Sequence, residues 1–295
     1  MLVFINWKVR FWMIEVLKAG FYSTIQDLGR VGYREFGVPI SGAMDRFSAK
    51  LANRLLGNDI NDAVLEITLT GPTLNFNCNT TICITGANMN PKVNEEPILL
   101  NHRISVKFGD ILSFGKLELG YRTYIAVGGG FQSPIIMKSR SMYPNVTATS
   151  KLEAHVILAI KEDRDMSIAS YAAIKLRNDH FANTNLEVLK GPEFEALPAK
   201  LQEELAAMMF TVSKNNNRMG YQFVETLENA IPSILTAPVL PGTVQLTPSG
   251  NLIVLMRDGQ ISGGYPRIMQ LTEESINVLA QKKVGDSVCF QFKTY

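Results

Sequence analysis

The 295-residue chain lacks several features that would place it in a familiar class of proteins. It has no apolar run approaching the ~20 residues of a membrane span. It also has no block of like charges of the kind that binds nucleic acid or an anionic membrane surface, and its net charge is only +2 at pH 7. We therefore expect neither nucleic acid nor a membrane as a partner.

Cysteine and histidine are scarce. The three cysteines have no metal-ligand spacing and lie in strand-like runs, where a buried, reduced thiol is the usual state. The three histidines belong to no metal or nucleophile motif. We expect no metal site and a reducing, cytoplasmic compartment. These residues are Cys78, Cys83, Cys289, His102, His155 and His180.

Motifs of common enzymes are missing as well. There is no G-x-S-x-G nucleophile elbow and no Walker A sequence, and the run Gly128-Gly129-Gly130 is too unspecific to predict a phosphate loop. The chain offers arginine, glutamine, asparagine and aspartate side chains suited to a small amide or acid, but no self-sufficient catalytic set. This incompleteness indicates an active site shared with another chain.

The residues that are present predict a mainly β protein with few helices. A hydrophobic fraction of 46% supports a large core, and most segments are short apolar or alternating runs bounded by turn residues. Asp258-Gly259 is typical of a tight hairpin turn. Helical patterns occur over residues 44–56, 197–209 and 272–283, and weakly over 166–176.

Three short sequences recur in the same order in both halves of the chain, which indicates two related β units. IEVLKAG resembles LEVLKGP, GRVGY resembles NRMGY, and KFGDILSF resembles KVGDSVCF. Two small barrels or sandwiches are therefore favoured over one large sheet. We predict an N-terminal extension over residues 1–12, a first β-barrel unit with a connecting segment over 13–185, and a second β-barrel unit over 186–295.

The stretch over residues 23–72 concentrates polar side chains among glycines and prolines, which is typical of binding loops on a rigid scaffold. The same residues could equally be helix caps and turn formers. These polar residues are Gln26, Asp27, Arg30, Ser41, Asp45, Asn53, Arg54, Asn58 and Glu66.

Asp45 and Glu66 each allow a structural and a functional interpretation. Asp45 falls in the apolar arc at the start of the predicted helix, where a carboxylate can cap the helix, carry a proton or orient an amide. Glu66 is a site residue if its strand face lines a cleft between the units, and an ordinary residue if that face meets water.

Arg30 and Arg218 occupy matching positions in the GRVGY and NRMGY repeats. An arginine beside glycines can hold a carboxylate or phosphate through two parallel hydrogen bonds. The alternative for both is a salt bridge that fixes a loop.

A family resemblance covers residues 13–292. TIQDLGRVGY, GVPISGAMD, ANRLLGN, LEITLTGP, ITGA, NRMGY, PGTVQLTPSG and DGQISGGYP, in this order, resemble the allophanate hydrolase subunit 2 family, also called the biotin-dependent carboxyltransferase family. The resemblance implies two tandem cyclophilin-like β-barrels. The chain departs from the family after Tyr143, where relatives have a Gly- and Arg-rich loop and this sequence reads VTATSKLEAHVILAI. Its specificity is expected to differ if that loop touches substrate or a partner.

The resemblance implies a component of an ATP-dependent 5-oxoprolinase, which opens 5-oxoproline to L-glutamate together with A and B subunits. ATP would be bound by this chain or by a partner. A first alternative is a carboxyltransferase component that uses carboxybiotin on urea or a related amide, although this chain has no biotin-bearing Met-Lys segment. A second is a non-catalytic antagonist of a sporulation-kinase inhibitor.

The resemblance also implies roles for particular residues. Arg30 or Arg218 would bind the anion, Gln245 and Asn53 would recognise the amide, and Asp45 would carry the proton. The expected catalytic residues are Asp45, Arg30 and Arg218, and the expected substrate-binding residues are Gln26, Asn53, Glu66, Gln245 and Tyr265.

Overall fold

Strands dominate the computed structural model, which describes residues 12–162 (the first half) and 179–293 (the second half). The mainly β prediction is confirmed. Most of the predicted N-terminal extension and the helical pattern over 166–176 lie outside the described residues. The strands are β1 (Met13–Lys18), β2 (Tyr22–Gln26), β3 (Val64–Thr68), β4 (Thr73–Phe76), β5 (Thr80–Asn88), β6 (Pro91–Val93), β7 (Glu96–Pro97), β8 (Arg103–Val106), β9 (Ile111–Phe114), β10 (Leu119–Val127), β11 (Ile157–Ala159), β12 (Asn185–Lys190), β13 (Phe210–Asn216), β14 (Gly220–Thr226), β15 (Ala237–Pro238), β16 (Thr243–Leu246), β17 (Asn251–Leu255), β18 (Ser262–Gly263), β19 (Arg267–Leu271) and β20 (Ser287–Phe292). The helices are α1 (Arg46–Leu56), α2 (Asp179–Ala182), α3 (Ala199–Ala207) and α4 (Glu273–Ala280), with 3₁₀ turns at Arg34–Phe36 and Phe194–Ala196.

The strands of the first half form two antiparallel sheets around one core. One sheet has the order β11-β1-β4-β9-β6-β7 and the other β2-β3-β10-β5-β8. In β1, Ile14 and Val16 point inward while their neighbours are partly exposed, because successive side chains of a strand face opposite sides. They share a cluster of buried residues with Ile25 and Ile82 of the second sheet.

The second half contains a closed barrel in the order β12-β19-β16-β17-β14-β13-β20. A parallel pair closes it, with Leu186 of β12 opposite Phe290 of β20. Phe210, Phe223 and Phe290 pack inside, with ring centroids 5.2–5.8 Å apart. The predicted barrel is confirmed here. Within the described residues, no ladder joins β1–β11 to β12–β20.

Only part of the predicted repeat corresponds to equivalent structure. The first matched pair of sequences forms β1 and β12, and the third pair runs into β9 and β20. The middle pair differs. Arg30 lies in a loop where Gly29 and Gly32 have φ of +98° and +94°, whereas Arg218 precedes β14, in which Gly220 is an ordinary strand residue. The predicted equivalence of the two arginines is therefore wrong.

Helix α1 sits at the junction of the two halves. Asp45 is its N-cap and accepts a hydrogen bond from the Ser48 N–H, and Gly57 ends it in the left-handed conformation with φ of +79°. Met44, immediately before the cap, is buried in the core of the second-half barrel. The start of α1 is thereby held by residues from both halves.

Candidate functional site

A cavity of about 440 Å³ lies between the two halves, and we call it the interface cavity. Its volume is within the range of small-molecule sites, and its lining combines aromatic rings with charged groups, as such sites usually do. The first half contributes Phe21, Tyr22, Thr68, Tyr121, Arg122, Tyr143 and Pro144, and the second half contributes Asn216, Asn217, Arg218, Met219 and Asp258.

Arg218 forms one wall of this cavity and is held by two carboxylates. Its Nε lies 2.7 Å from Oδ2 of Asp258 and its Nη2 lies 3.1 Å from Oδ1, while Nη1 donates to Glu66. Burial disfavours the charge, but the two carboxylates more than compensate and raise the pKa of Arg218 above its usual value. Of its two predicted interpretations, the salt bridge is what the structure contains.

Glu66 lies in β3, buried between the halves rather than facing water. Its Oε2 accepts hydrogen bonds from the Met44 N–H at 2.7 Å and from the Tyr124 hydroxyl at 2.9 Å. Together with the Arg218 contact, these bonds join the second sheet, the start of α1 and the barrel. Glu66 stands directly behind the cavity wall and is not one of the lining residues.

Asp45 caps α1 and also contacts the second half. Its Oδ2 accepts hydrogen bonds from Ser48 Oγ at 2.6 Å and from Gln281 Nε2 at 2.8 Å, and lies 2.9 Å from Nε2 of His180. Burial raises the pKa of the carboxyl, but His180, Ser48 and Gln281 outweigh it and hold the pKa below its usual value. The capping interpretation is confirmed. Asp45 does not line the cavity, so its role as proton carrier stays a prediction.

Tyr124 connects these two carboxylates. Its hydroxyl accepts a hydrogen bond from the Asp45 N–H at 2.8 Å and donates to Glu66. Burial and the charges of Glu66 and Asp45 raise the pKa of Tyr124 well above its usual value, so the hydroxyl remains a donor. A continuous hydrogen-bonded network thus runs from His180 through Asp45, Tyr124, Glu66 and Arg218 to Asp258. We call it the interface network.

Replacing Tyr124 with phenylalanine tests whether this network adds to stability. Removing the hydroxyl takes one hydrogen-bond donor away from Glu66 and leaves the Asp45 N–H without an acceptor. We therefore expect a loss of about 1–2 kcal/mol in the free energy of unfolding. Urea denaturation measures it. Tyr33→Phe, at a partly exposed loop position, is the matched control. Equal stability of the two variants would contradict the prediction.

Arg122 is a second buried arginine in the cavity lining. Its Nη1 donates to the Tyr221 hydroxyl at 2.7 Å and to the Ala280 carbonyl, and its guanidinium lies 5.0 Å from the centre of the Tyr121 ring. Its Nε has no partner among the residues that the structure describes. No carboxylate forms an ion pair with it there, which distinguishes it from Arg218.

Arg30 and Gln26 are buried beside the segment that leads to Tyr143. Arg30 donates to Ser41 Oγ at 3.2 Å and to the Ser141 carbonyl, and burial lowers its pKa. Gln26 donates to the Met142 carbonyl at 3.2 Å. Neither lines the cavity, so these residues fix the segment that places Tyr143 in it. Their predicted roles in anion and substrate binding stay predictions.

The remaining predicted residues lie apart from the interface cavity. Asn53, near the end of α1, donates to the Asp62 carbonyl at 2.8 Å. Gln245 of β16 is buried and lies 3.5 Å from the Tyr265 carbonyl, while the Tyr265 side chain is 40% exposed. The structure brings Gln245 and Tyr265 together but joins neither to Asn53, and their substrate-binding roles stay predictions.

Sequence reasoning missed several residues of the site. The sequence places Asp258 in a hairpin turn, but β17 pairs with β14 and β16 and the following strand β18 pairs with β15. Asp258 does lie in a turn, where the Gly259 N–H donates to the Met256 carbonyl at 3.0 Å, but the hairpin prediction is wrong because this turn does not join paired strands. The Asp258 side chain is also a buried ion partner of Arg218. Tyr22, Tyr143 and Arg122 carry no local signal that separates them from core residues. No sequence pattern gives His180 a role, yet it contacts Asp45.

The described residues contain no cluster of three or more His, Cys, Asp or Glu side chains that could hold a metal ion. In the same part of the chain, none of the helices has both the length and the apolar composition needed to cross a bilayer.

A protein-family model matches most of the chain. The model of the carboxyltransferase domain, subdomain A and B, matches residues 36–292. The C subunit of 5-oxoprolinase from Haemophilus influenzae is 32% identical over 292 residues, which cover 95% of this chain and 91% of that protein.

Solved structures of other proteins share the fold. The crystal structure of TTHA0988 matches with a TM-score of 0.86 and 26% identity, covering 96% of this chain. This chain spans only 56% of the TTHA0988 chain. The Kluyveromyces lactis urea carboxylase matches with a TM-score of 0.83 and 27% identity over 97% of this chain, which spans 28% of that enzyme.

Proposed function

The chain belongs to the carboxyltransferase domain family, subdomain A and B, and we propose that it is the C subunit of an ATP-dependent 5-oxoprolinase. One observation carries the proposal: the similarity to the C subunit of a bacterial 5-oxoprolinase covers nearly the whole of both chains. With A and B subunits, the assembled enzyme would open 5-oxoproline to L-glutamate.

The interface cavity supports this proposal through its size and its chemical groups. It can hold a small cyclic amide between aromatic walls, with Arg218, Asp258 and Arg122 as charged groups. Activation of the lactam carbonyl by phosphorylation develops negative charge, which fixed cationic groups stabilise. The cavity lining provides no nucleophile–base pair, so we assign ATP and the phosphorylation step to the assembled enzyme rather than to this chain alone.

The test is reconstitution of the enzyme from its three proteins. A purified mixture of this chain with its A and B partners is expected to release phosphate from ATP and form L-glutamate only when 5-oxoproline is present. Omitting this chain should abolish both products. Lys293→Met, at an exposed surface ion pair, is a control that should retain full activity. Unchanged activity without the chain would refute the proposal.

A second candidate is carboxyl transfer from carboxybiotin to urea or a related amide. The match to the Kluyveromyces lactis urea carboxylase over 97% of this chain favours it. It requires a separate biotin carboxylase and a biotinylated carrier protein. Carboxylation of urea in a mixture containing those components, together with no 5-oxoproline-dependent phosphate release, would support this candidate over the first.

A further inference from the structure

Asp258 has hydrogen-bonding capacity left on the cavity side. Both of its oxygens accept from Arg218, at 2.7 and 3.1 Å, and no other described residue donates to them. An ionised carboxylate offers about four lone-pair sites, so about two remain. Asp258 is 5% exposed and lines the interface cavity, where a ligand donor can reach it.

Two tyrosine hydroxyls in the same lining also lack partners. Tyr22 and Tyr143 both line the cavity, and neither hydroxyl forms a hydrogen bond with any described residue. Both tyrosines are partly exposed and neither hydroxyl is among the buried atoms without a partner, so both hydroxyls are accessible to a ligand in the cavity. Burial raises the pKa of both groups, which keeps them protonated as donors near neutral pH.

An acceptor and two donors therefore face one small cavity. The ring of a lactam or a cyclic urea forces the N–H and the C=O onto the same edge, so one edge of the ligand presents a donor and an acceptor side by side. We propose that the interface cavity binds such an edge, with Asp258 accepting the amide N–H and the hydroxyls of Tyr22 and Tyr143 donating to the carbonyl. Arg218 then acts as a positioning residue, because its two nitrogens hold Asp258 in place.

The choice of a lactam as ligand rests on the proposed function, whereas recognition of the amide edge does not. The test is isothermal titration of the purified chain with 5-oxoproline and with its lactone analogue, 5-oxotetrahydrofuran-2-carboxylate. The two differ only in the ring N–H, which becomes an oxygen. The lactone is expected to bind about tenfold more weakly or worse, because it leaves Asp258 without its donor and places an oxygen against the carboxylate.

Variants test the contact to the amide N–H and the contacts to the carbonyl separately. In Asp258→Asn, the amide oxygen can accept from only one of the two Arg218 nitrogens, and the NH₂ takes the place of the other oxygen. A donor then replaces one acceptor on the cavity side, so the preference for the lactam is expected to disappear. Tyr22→Phe and Tyr143→Phe should weaken both ligands equally, by about three- to tenfold each, because the carbonyl is common to them. Tyr33→Phe should change neither. Thermal melting of each variant establishes that it is folded.

Several outcomes would overturn the proposal: equal binding of lactam and lactone, no binding of 5-oxoproline or biotin at millimolar concentration, or an unaltered preference in a folded Asp258→Asn variant. Biotin, a cyclic urea, is the third ligand. If biotin binds in place of 5-oxoproline and loses affinity in Asp258→Asn, recognition of the amide edge is supported while the proposed function fails. If the reconstituted enzyme is active but the chain binds lactam and lactone equally well, the proposed function is supported while recognition of the amide edge fails.

Discussion

Replacing Arg218 with methionine is expected to lower the free energy of unfolding by about 3–5 kcal/mol. The guanidinium is buried and forms ion pairs with both Glu66 and Asp258, which are themselves 1% and 5% exposed. Methionine fills much of the volume but leaves two carboxylates in a poorly solvated site without a counter-charge. The loss comes from those stranded charges rather than from the ion pairs themselves.

Two further variants separate charge from volume. Arg267→Met removes the same side chain from a more exposed pair with Glu193, 2.8 Å away, and is expected to cost about 1 kcal/mol or less. Adding Glu66→Gln and Asp258→Asn to Arg218→Met removes the stranded charges and should recover part of the stability. Guanidinium chloride denaturation of the four proteins measures these differences. A loss as small as that of Arg267→Met would show that the site is better solvated than its burial indicates.

The strand pattern was predictable wherever one face of a strand is apolar and the other is polar. β16 and β20 lie where the alternation predicted them. β2 was missed because its sequence, YSTIQ, sets two polar residues side by side and does not alternate, although Ser23, Thr24 and Gln26 are buried. Its polar side chains are buried in the tertiary structure, and the local sequence gives no sign of it.

The candidate site was half predictable for a similar reason. Glu66, Asp45 and Arg218 stood out as charged residues among apolar or glycine-rich neighbours. Their partners did not, because the His180 and Gln281 contacts to Asp45 span 135 and 236 positions along the chain. Periodicity and capping rules describe neighbours within a few residues. Which charge meets which across the two halves depends on how the sheets and barrel pack.

Asp45→Asn should produce the second large effect, a loss of about 2–3 kcal/mol at neutral pH. Asparagine is as good an N-cap as aspartate, so α1 keeps its cap and the change isolates the contacts that Oδ2 makes with His180, Gln281 and the Ser48 hydroxyl. The substituted NH₂ group also meets the Gln281 Nε2 donor, 2.8 Å from the present oxygen. Thr272→Asn, at the N-cap of α4, exchanges one good cap for another and should change stability by less than about 0.5 kcal/mol.

The pH dependence of this difference identifies its origin. Because the folded protein lowers the pKa of Asp45, the carboxylate contributes its stability in full above the pKa of an unfolded aspartate, about 3.9. That contribution falls as the pH drops through the lower folded value, so the gap between the native protein and Asp45→Asn should narrow below about pH 4. A gap that stays constant on acidification would mean that the loss comes from altered packing. If Asp45 also carries a proton during catalysis, the folded variant in the assembled enzyme will lose kcat beyond its unfolded fraction, whereas a purely structural Asp45 predicts full activity per folded molecule.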